Sequence, residues 1–314
     1  MNFIKKINLT QNRPQVLLIG NGPTRSAGYT WHEFIKSCAR EDIDVEKYRN
    51  GNGFHLPNTV LSLAVMDRDD SIRHNRYIKE LNTIKYKENS YINKLLKIPF
   101  DSILTTNYTY EIEYAIKSNY PQLTEVSKKK YAASLKPDAK YLIHTYNAFE
   151  NKPPIWHIHG EVRRKNSLIL SHDEYARLTN KIIEYSNTRK DDYVFYNQDI
   201  HVKSWIDYFI LGDLYILGFG FDYAEFDLWW LVNRRLREKA NCGEIYFYEP
   251  EVEENHYKLL AMKDMGIKVE TLNIKISADE KDSEIKYNDF YNKAILDIAV
   301  KVGGNRNGNN SRHN

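Results

Sequence analysis

IPFDSILTTNYTYEIE, residues 98–113, is the stretch on which the fold turns. Apolar residues run up to Ile103 and Leu104, then Thr105, Thr106 and Asn107 break the run, and Tyr108, Ile112 and Ala115 follow at helical spacing. That pattern predicts a strand, a polar turn and a helix in succession. In open α/β sheets ligands bind at the carboxyl ends of strands. An amide and two hydroxyls placed there can hold a sugar without adding charge. The same residues could equally serve as a simple helix cap.

Two further stretches have the same form. Residues 16–19 are an apolar run ending in Gly20-Asn21-Gly22-Pro23-Thr24, with Gly28 beyond, and Trp31, Phe34, Ile35 and Cys38 then recur at helical spacing. Strand, glycine turn and helix in that order let backbone amides approach a phosphate. Arg25 stands where the dinucleotide fingerprint needs its third glycine, so an ordinary glycine turn accounts for the spacing as well. Downstream, Ile155-Trp156-His157-Ile158-His159-Gly160 alternates, which predicts a strand with both histidines on one face. Such a pair can ligate a metal, although no third ligand sits at a recognisable spacing. It can supply a general base near neutral pH, or it can be a hydrogen-bonded pair of the core.

The rest of the chain alternates in kind. Residues 41–97 and 119–140 are polar and predict helical insertions; the second is interrupted by Pro121 and Pro137. Residues 167–170 predict a strand, Ser171 an N-cap followed by acidic residues, and 195–210 a helix. Residues 214–217 predict a buried strand ending in Gly218-Phe219-Gly220-Phe221-Asp222, followed by a helix over 225–238. A strand over 245–248 ending at Glu249, a helix over 254–262, a strand over 267–272 and a helix around 290–302 complete the pattern. The expected class is α/β: a Rossmann-like, mainly parallel sheet with helices on both faces, plus the helical insertions. One domain spans 1–302, and the polar tail 303–314 has nothing to bury and is expected to be disordered.

Composition narrows the function. Of 314 residues 42% are hydrophobic and 28% charged, as in a globular protein, and a formal net charge of +3 is too small to argue for nucleic acid as a direct ligand. Cys38 and Cys242 exclude a four-cysteine zinc module and suit a reducing compartment. With no stretch of signal-peptide or membrane-spanning character, a cytoplasmic setting is expected.

Taken together, the three stretches resemble the sirtuin-like (silent information regulator-like) domain family. Gly20-Asn21-Gly22-Pro23-Thr24 with Gly28, then Thr105-Thr106-Asn107-Tyr108 with Glu113, then His157-Ile158-His159-Gly160 stand in that family's order and spacing. The chain looks most like the bacterial branch of NADases used in antiphage defence. Gly218-Phe219-Gly220-Phe221 with Asp222, and the strand end at Glu249, are similar to that branch's nucleotide-binding elements. The resemblance implies that Gly20, Asn21, Gly22 and Thr24 line the NAD phosphates and nicotinamide ribose, and that Thr106 helps to hold the sugar. It also implies that Asn107 orients the ribose or a water, and that His159 is the general base. Gly218 and Phe219 would lie near the adenosine half and Glu249 near the adenine ribose. Sirtuins usually carry alanine where Asn21 stands and an acid where Thr109 stands, and their zinc ribbon is missing here.

The activity so implied is an NAD glycohydrolase releasing ADP-ribose and nicotinamide, with NAD as substrate, no prosthetic group and no metal. Because an ungated NADase would drain its own cell, gating through a homo-oligomer or a defence-system sensor subunit is expected. A catalytically silent nucleotide-binding module for assembly and signalling is the alternative, with NAD-dependent protein deacylation behind it for want of the zinc ribbon.

Overall fold

The computed structural model describes residues 6–8, 13–27, 31–50, 53–54, 57–64, 70–123, 141–194, 199–238, 242–252, 256–276 and 283–310. Gly28 and most of the 119–140 insertion lie outside them. Six strands, β1 (Gln15–Ile19), β2 (Ser102–Thr105), β3 (Ile155–His157), β4 (Asp213–Leu217), β5 (Ile245–Tyr248) and β6 (Lys268–Glu270), form one parallel sheet in the order β6-β5-β4-β1-β2-β3. This is the doubly wound order 3-2-1-4-5-6, in which the chain reverses direction between β1 and β4 and leaves a crevice at their carboxyl ends.

Alternation along the central strands divides the core. Val16, Leu18, Leu104 and Trp156 point to one face and pack against helices α6 (His172–Thr188), α7 (Lys190–Val194), α8 (Trp205–Leu211), α9 (Phe226–Arg237) and α10 (His256–Asp264). Leu17, Ile19, Ile103 and Ile155 point to the other and meet α4 (Ser90–Leu95), α5 (Glu111–Asn119) and α11 (Ser283–Asn310). Covering both faces is what makes these strands continuous apolar runs rather than half-polar ones.

The insertion between β1 and β2 folds as helices α1 (Trp31–Cys38), α2 (Pro57–Ala64) and α3 (Asp70–Leu81) with a core of its own, around Phe34, Ile35, Leu61, Tyr77 and Leu81. That core also takes in Tyr110, Val162, Leu168 and Leu170. The insertion therefore caps the loops that leave the carboxyl ends of β2 and β3.

Three expectations are corrected. Residues 167–170 are not a strand: Leu168 and Leu170 pack into the cap, Ile169 into the main core, and the Glu174 carboxylate accepts the Leu170 and Ser171 amides that a ladder would need. Within 195–210, Asp199–His201 is a strand paired antiparallel with Lys6–Asn8, and the helix starts only at Trp205, where Ser204 and Asp207 make a capping box. The last helix runs on to Asn310 instead of giving way to a loose tail at 303. Asn305 is fastened there by donating to Gln15, Asp213 and Tyr215.

Candidate active site at the carboxyl edge of the sheet

The glycine loop after β1 lies against the start of the loop after β4. Gly20 N–H donates to the Leu217 carbonyl at 3.1 Å and Gly22 N–H to the Gly218 carbonyl at 2.8 Å. A Cβ on Gly20 would stand 2.6 Å from the Gly218 oxygen and 2.8 Å from Phe219 Cα, so only glycine permits this approach. Thr24 is buried and donates from its hydroxyl to the Asn21 carbonyl and side-chain oxygen at 3.0 and 2.7 Å, while Asn21 itself is exposed. Gly20, Asn21, Gly22, Thr24, Gly218 and Phe219 thus gather at the crevice where the strand order reverses. Glu249 follows β5 on the same edge. Lys258 Nζ lies 3.5 Å from its carboxylate and also donates to the Gly220 carbonyl, tying the ends of β4 and β5 together.

One strand over, the polar turn is stitched to β1. The Thr105 hydroxyl and the Thr106 amide both donate to the Ile19 carbonyl, and the Asn107 amide donates to the Thr105 hydroxyl. A mere capping role for these residues is excluded, because α5 begins at Glu111 with Tyr110 as its N-cap. Asn107 is 9% exposed, and its side-chain amide makes no hydrogen bond among the described residues.

His157 holds Asn107 from below. Its Nδ1 lies 2.7 Å from the Asn107 carbonyl and its Nε2 2.9 Å from Glu113 Oε1, two acceptors that require both ring nitrogens to carry protons. Asn147 adds a donor to the same Glu113 oxygen at 2.7 Å. Burial opposes the charge on His157, but the Glu113 carboxylate outweighs it and pushes the imidazole up to about 9. Burial likewise opposes the Glu113 charge, and His157 reverses it and holds that carboxyl below its ordinary value. The histidine's share of stability is complete below its unfolded value of about 6.5 and is lost as pH rises through about 9. The glutamate's share is complete above its unfolded value and is lost in acid. Unfolding midpoints should accordingly fall between pH 6.5 and 9 in the native protein and fall less in His157→Gln, a comparison that thermal melts in matched buffers provide.

The two histidines do not share a face. β3 stops at His157, where the Gly160 amide bonds back to the His157 carbonyl and Gly160 takes φ +93°. The turn swings His159 away from α5 and into the helices on the opposite side. There its Nε2 lies 3.0 Å from Asp227 Oδ2 and 3.8 Å from Glu225 Oε2, and its Nδ1 3.3 Å from the Tyr175 hydroxyl. His159 is 1% exposed and Asp227 0%. Burial opposes the charge on His159, but Asp227 and then Glu225 outweigh it and raise the imidazole. Burial, with Asp227 alongside, pushes Glu225 up to about 7 against the pull of His159. No hydrogen bond joins the Asn107 side chain to His159. Among the described residues the one group with a metal-type donor set is His159, Glu225 and Asp227, with donor atoms within 4.8 Å of one another, and not the His157–His159 pair.

Over residues 101–269, more than half of the chain, the sequence matches the SIR2-like domain. The chain belongs to the SIR2-like family. The matched segment of this SIR2-like protein holds Thr106, Asn107, His157, His159, Gly218, Phe219, Glu225, Asp227 and Glu249, while β1 and its glycine loop precede it. SIR2-like domains use NAD as substrate, which points to NAD-related activity in general. No curated protein matches the chain. Among the described residues no helix is long and apolar enough to cross a membrane.

Glu225, Asp227 and Tyr175 are the members of this site that the sequence did not reveal as such. The two acids read as ordinary residues at a helix start, and Tyr175 as part of the capped turn after Ser171.

Proposed function

We propose that this SIR2-like chain hydrolyses NAD to ADP-ribose and nicotinamide and serves as a gated, NAD-depleting effector in bacterial antiphage defence. The observation that carries the reading is Asn107. Its backbone is locked from both sides by Thr105 and His157, yet its side-chain amide has no hydrogen-bond partner among the described residues. The atoms of this amide are not shut away from solvent, so a ligand or water can meet them beside the crevice of a doubly wound sheet.

Nicotinamide departs early, leaving positive charge on the ribose, and a fixed neutral dipole stabilises that state without trapping it. The Asn107 amide orients a ribose hydroxyl or the incoming water, the water oxygen bonds to the sugar carbon that nicotinamide has left, and His159 takes the released proton. Gly20, Asn21, Gly22 and Thr24 would hold the phosphates, Thr106 the ribose, Gly218 and Phe219 the adenosine half, and Glu249 the adenine ribose. Gating by further copies or a sensor subunit would act through the insertion cap, which packs on the loops after β2 and β3. Full turnover by a lone monomer at low concentration would count against gating.

Chromatography of nicotinamide release separates the readings. The native chain should be active, alone or with its partner, and Asn107→Ala and His159→Ala should each lose about 10²-fold or more. Equal release from all three discards the assignment. One observation favours the second reading, a silent nucleotide-binding module: both His159 nitrogens are already engaged inside the protein. Tight NAD binding without product after long incubation with partners would establish it, and an acetyl-peptide assay tests deacylation.

A further inference from the structure

We propose that Asp227 is a positioning residue for His159, fixing the imidazole with its proton on Nε2 so that Nδ1, on the Tyr175 side, is the nitrogen that takes up the reaction's proton. The inference rests on the NAD-hydrolysis reading and adds to it a residue and a direction of proton movement.

The geometry is over-determined. Asp227 sits in the first turn of α9, whose Leu228, Leu231 and Val232 are sunk in the main core, so its carboxylate cannot drift. His159 is held from its own backbone, where the carbonyl accepts the Ile169 amide at 2.9 Å and the Gly160 turn follows. Between these two fixed points Nε2 and Asp227 Oδ2 are 3.0 Å apart. An ionised carboxylate only accepts, so the nitrogen facing it must be N–H. The opposite tautomer would set a nitrogen lone pair against a buried carboxylate. Glu225 Oε2, at 3.8 Å, is too far to compete as a hydrogen-bond partner.

The other nitrogen then has a lone pair, and the group beside it is the Tyr175 hydroxyl at 3.3 Å, with the two rings edge to face. Tyr175 is buried on α6, near Tyr108 and Glu225, which complete the polar surroundings of the ring with Asp227. A proton leaving water or a ribose hydroxyl reaches Nδ1 through this hydroxyl. Tyrosine passes its own proton to Nδ1 and receives the substrate's in exchange, one proton moving in all, and the imidazolium so formed is neutralised by Asp227.

The test combines nicotinamide-release kinetics with nitrogen-15 spectra of His159 in the full chain. Asp227→Asn keeps the shape but can turn an N–H toward Nε2 and favour the wrong tautomer. It should lower kcat about 10²–10⁴-fold while KM for NAD changes by no more than about threefold. Asp227→Glu should recover part of the rate. With the ring neutral, the native spectrum should show the proton on Nε2, and the Asn variant should show it on Nδ1. Native kcat in Asp227→Asn overturns the proposal, as does a native spectrum with the proton on Nδ1. So does a stoichiometric divalent cation held by the native protein and lost in the variant, because the cluster would then serve the ion. If the native chain releases no nicotinamide, the hydrolysis reading fails by itself, and the spectra still decide what Asp227 does.

Discussion

Glu113→Ala should lower the stability of the protein by about 3–5 kcal/mol, the usual penalty for breaking one side of a buried ion pair. Among the described residues Glu113 is the sole carboxylate bonded to the His157 ring, and its Oε1 accepts from both His157 and Asn147. Removing it strands the His157 Nε2–H in the core and leaves Asn147 with Glu161, at 3.2 Å, as its acceptor. The stranded imidazole is the one whose other nitrogen holds the Asn107 carbonyl at 2.7 Å. The loss should therefore appear twice, as a lower denaturant midpoint and as weaker NAD binding measured by calorimetry on the still-folded protein. Arg177→Ala supplies the contrast. Its pair with Asp173 is as short, at 2.7 Å, but both side chains are more than half exposed, and less than about 1 kcal/mol should be lost. Equal effects from the two substitutions would mean that the pair beneath Asn107 is no more than surface charge.

Gly160→Ala should be nearly as damaging, at about 2–5 kcal/mol from backbone strain and overpacking combined. Gly160 holds φ +93°, which a residue with a Cβ rarely adopts, and a Cβ there would overlap the Ser167 carbonyl and lie 2.8 Å from Leu168 N. All the obstructing atoms are main chain, so no side chain can swing aside. Relief would require moving the 165–167 turn, which anchors Glu161 through the Ser167 hydroxyl, or moving His159 itself. The expected result is a lower melting temperature together with lost nicotinamide release, whereas a fully folded, fully active variant would show that the turn after β3 does not set the histidine.

What could be read from the residues was local. Continuous apolar runs such as 16–19 and 245–248 announce strands buried on both faces, and glycines or small polar residues mark their carboxyl ends. The candidate residues were legible to the same depth: Gly20, Asn107 and His159 each lie just beyond the carboxyl end of a strand. What escaped depends on distance along the chain. Asp227 is 68 residues from His159, and acids in a helix's first turn have an ordinary reason to be there. Strict alternation put both histidines on one face because nothing in the run Ile155–Gly160 says that the ladder stops at His157; a packing requirement of Gly160 against Ser167 decides it. Residues 167–170 have strand-like composition, but their amides are claimed by Glu174 and their side chains by the insertion's separate core.

Helix α11 has a practical bearing on how the molecule can be handled. Tyr291 lies close beneath the glycine loop, and Asn305, about four turns later, is bonded to Gln15 and Asp213 where β1 and β4 begin. The helix thus runs the full depth of the sheet. A reporter protein joined after Asn310 would emerge at the edge of the sheet remote from the carboxyl-end crevice, clear of the proposed site.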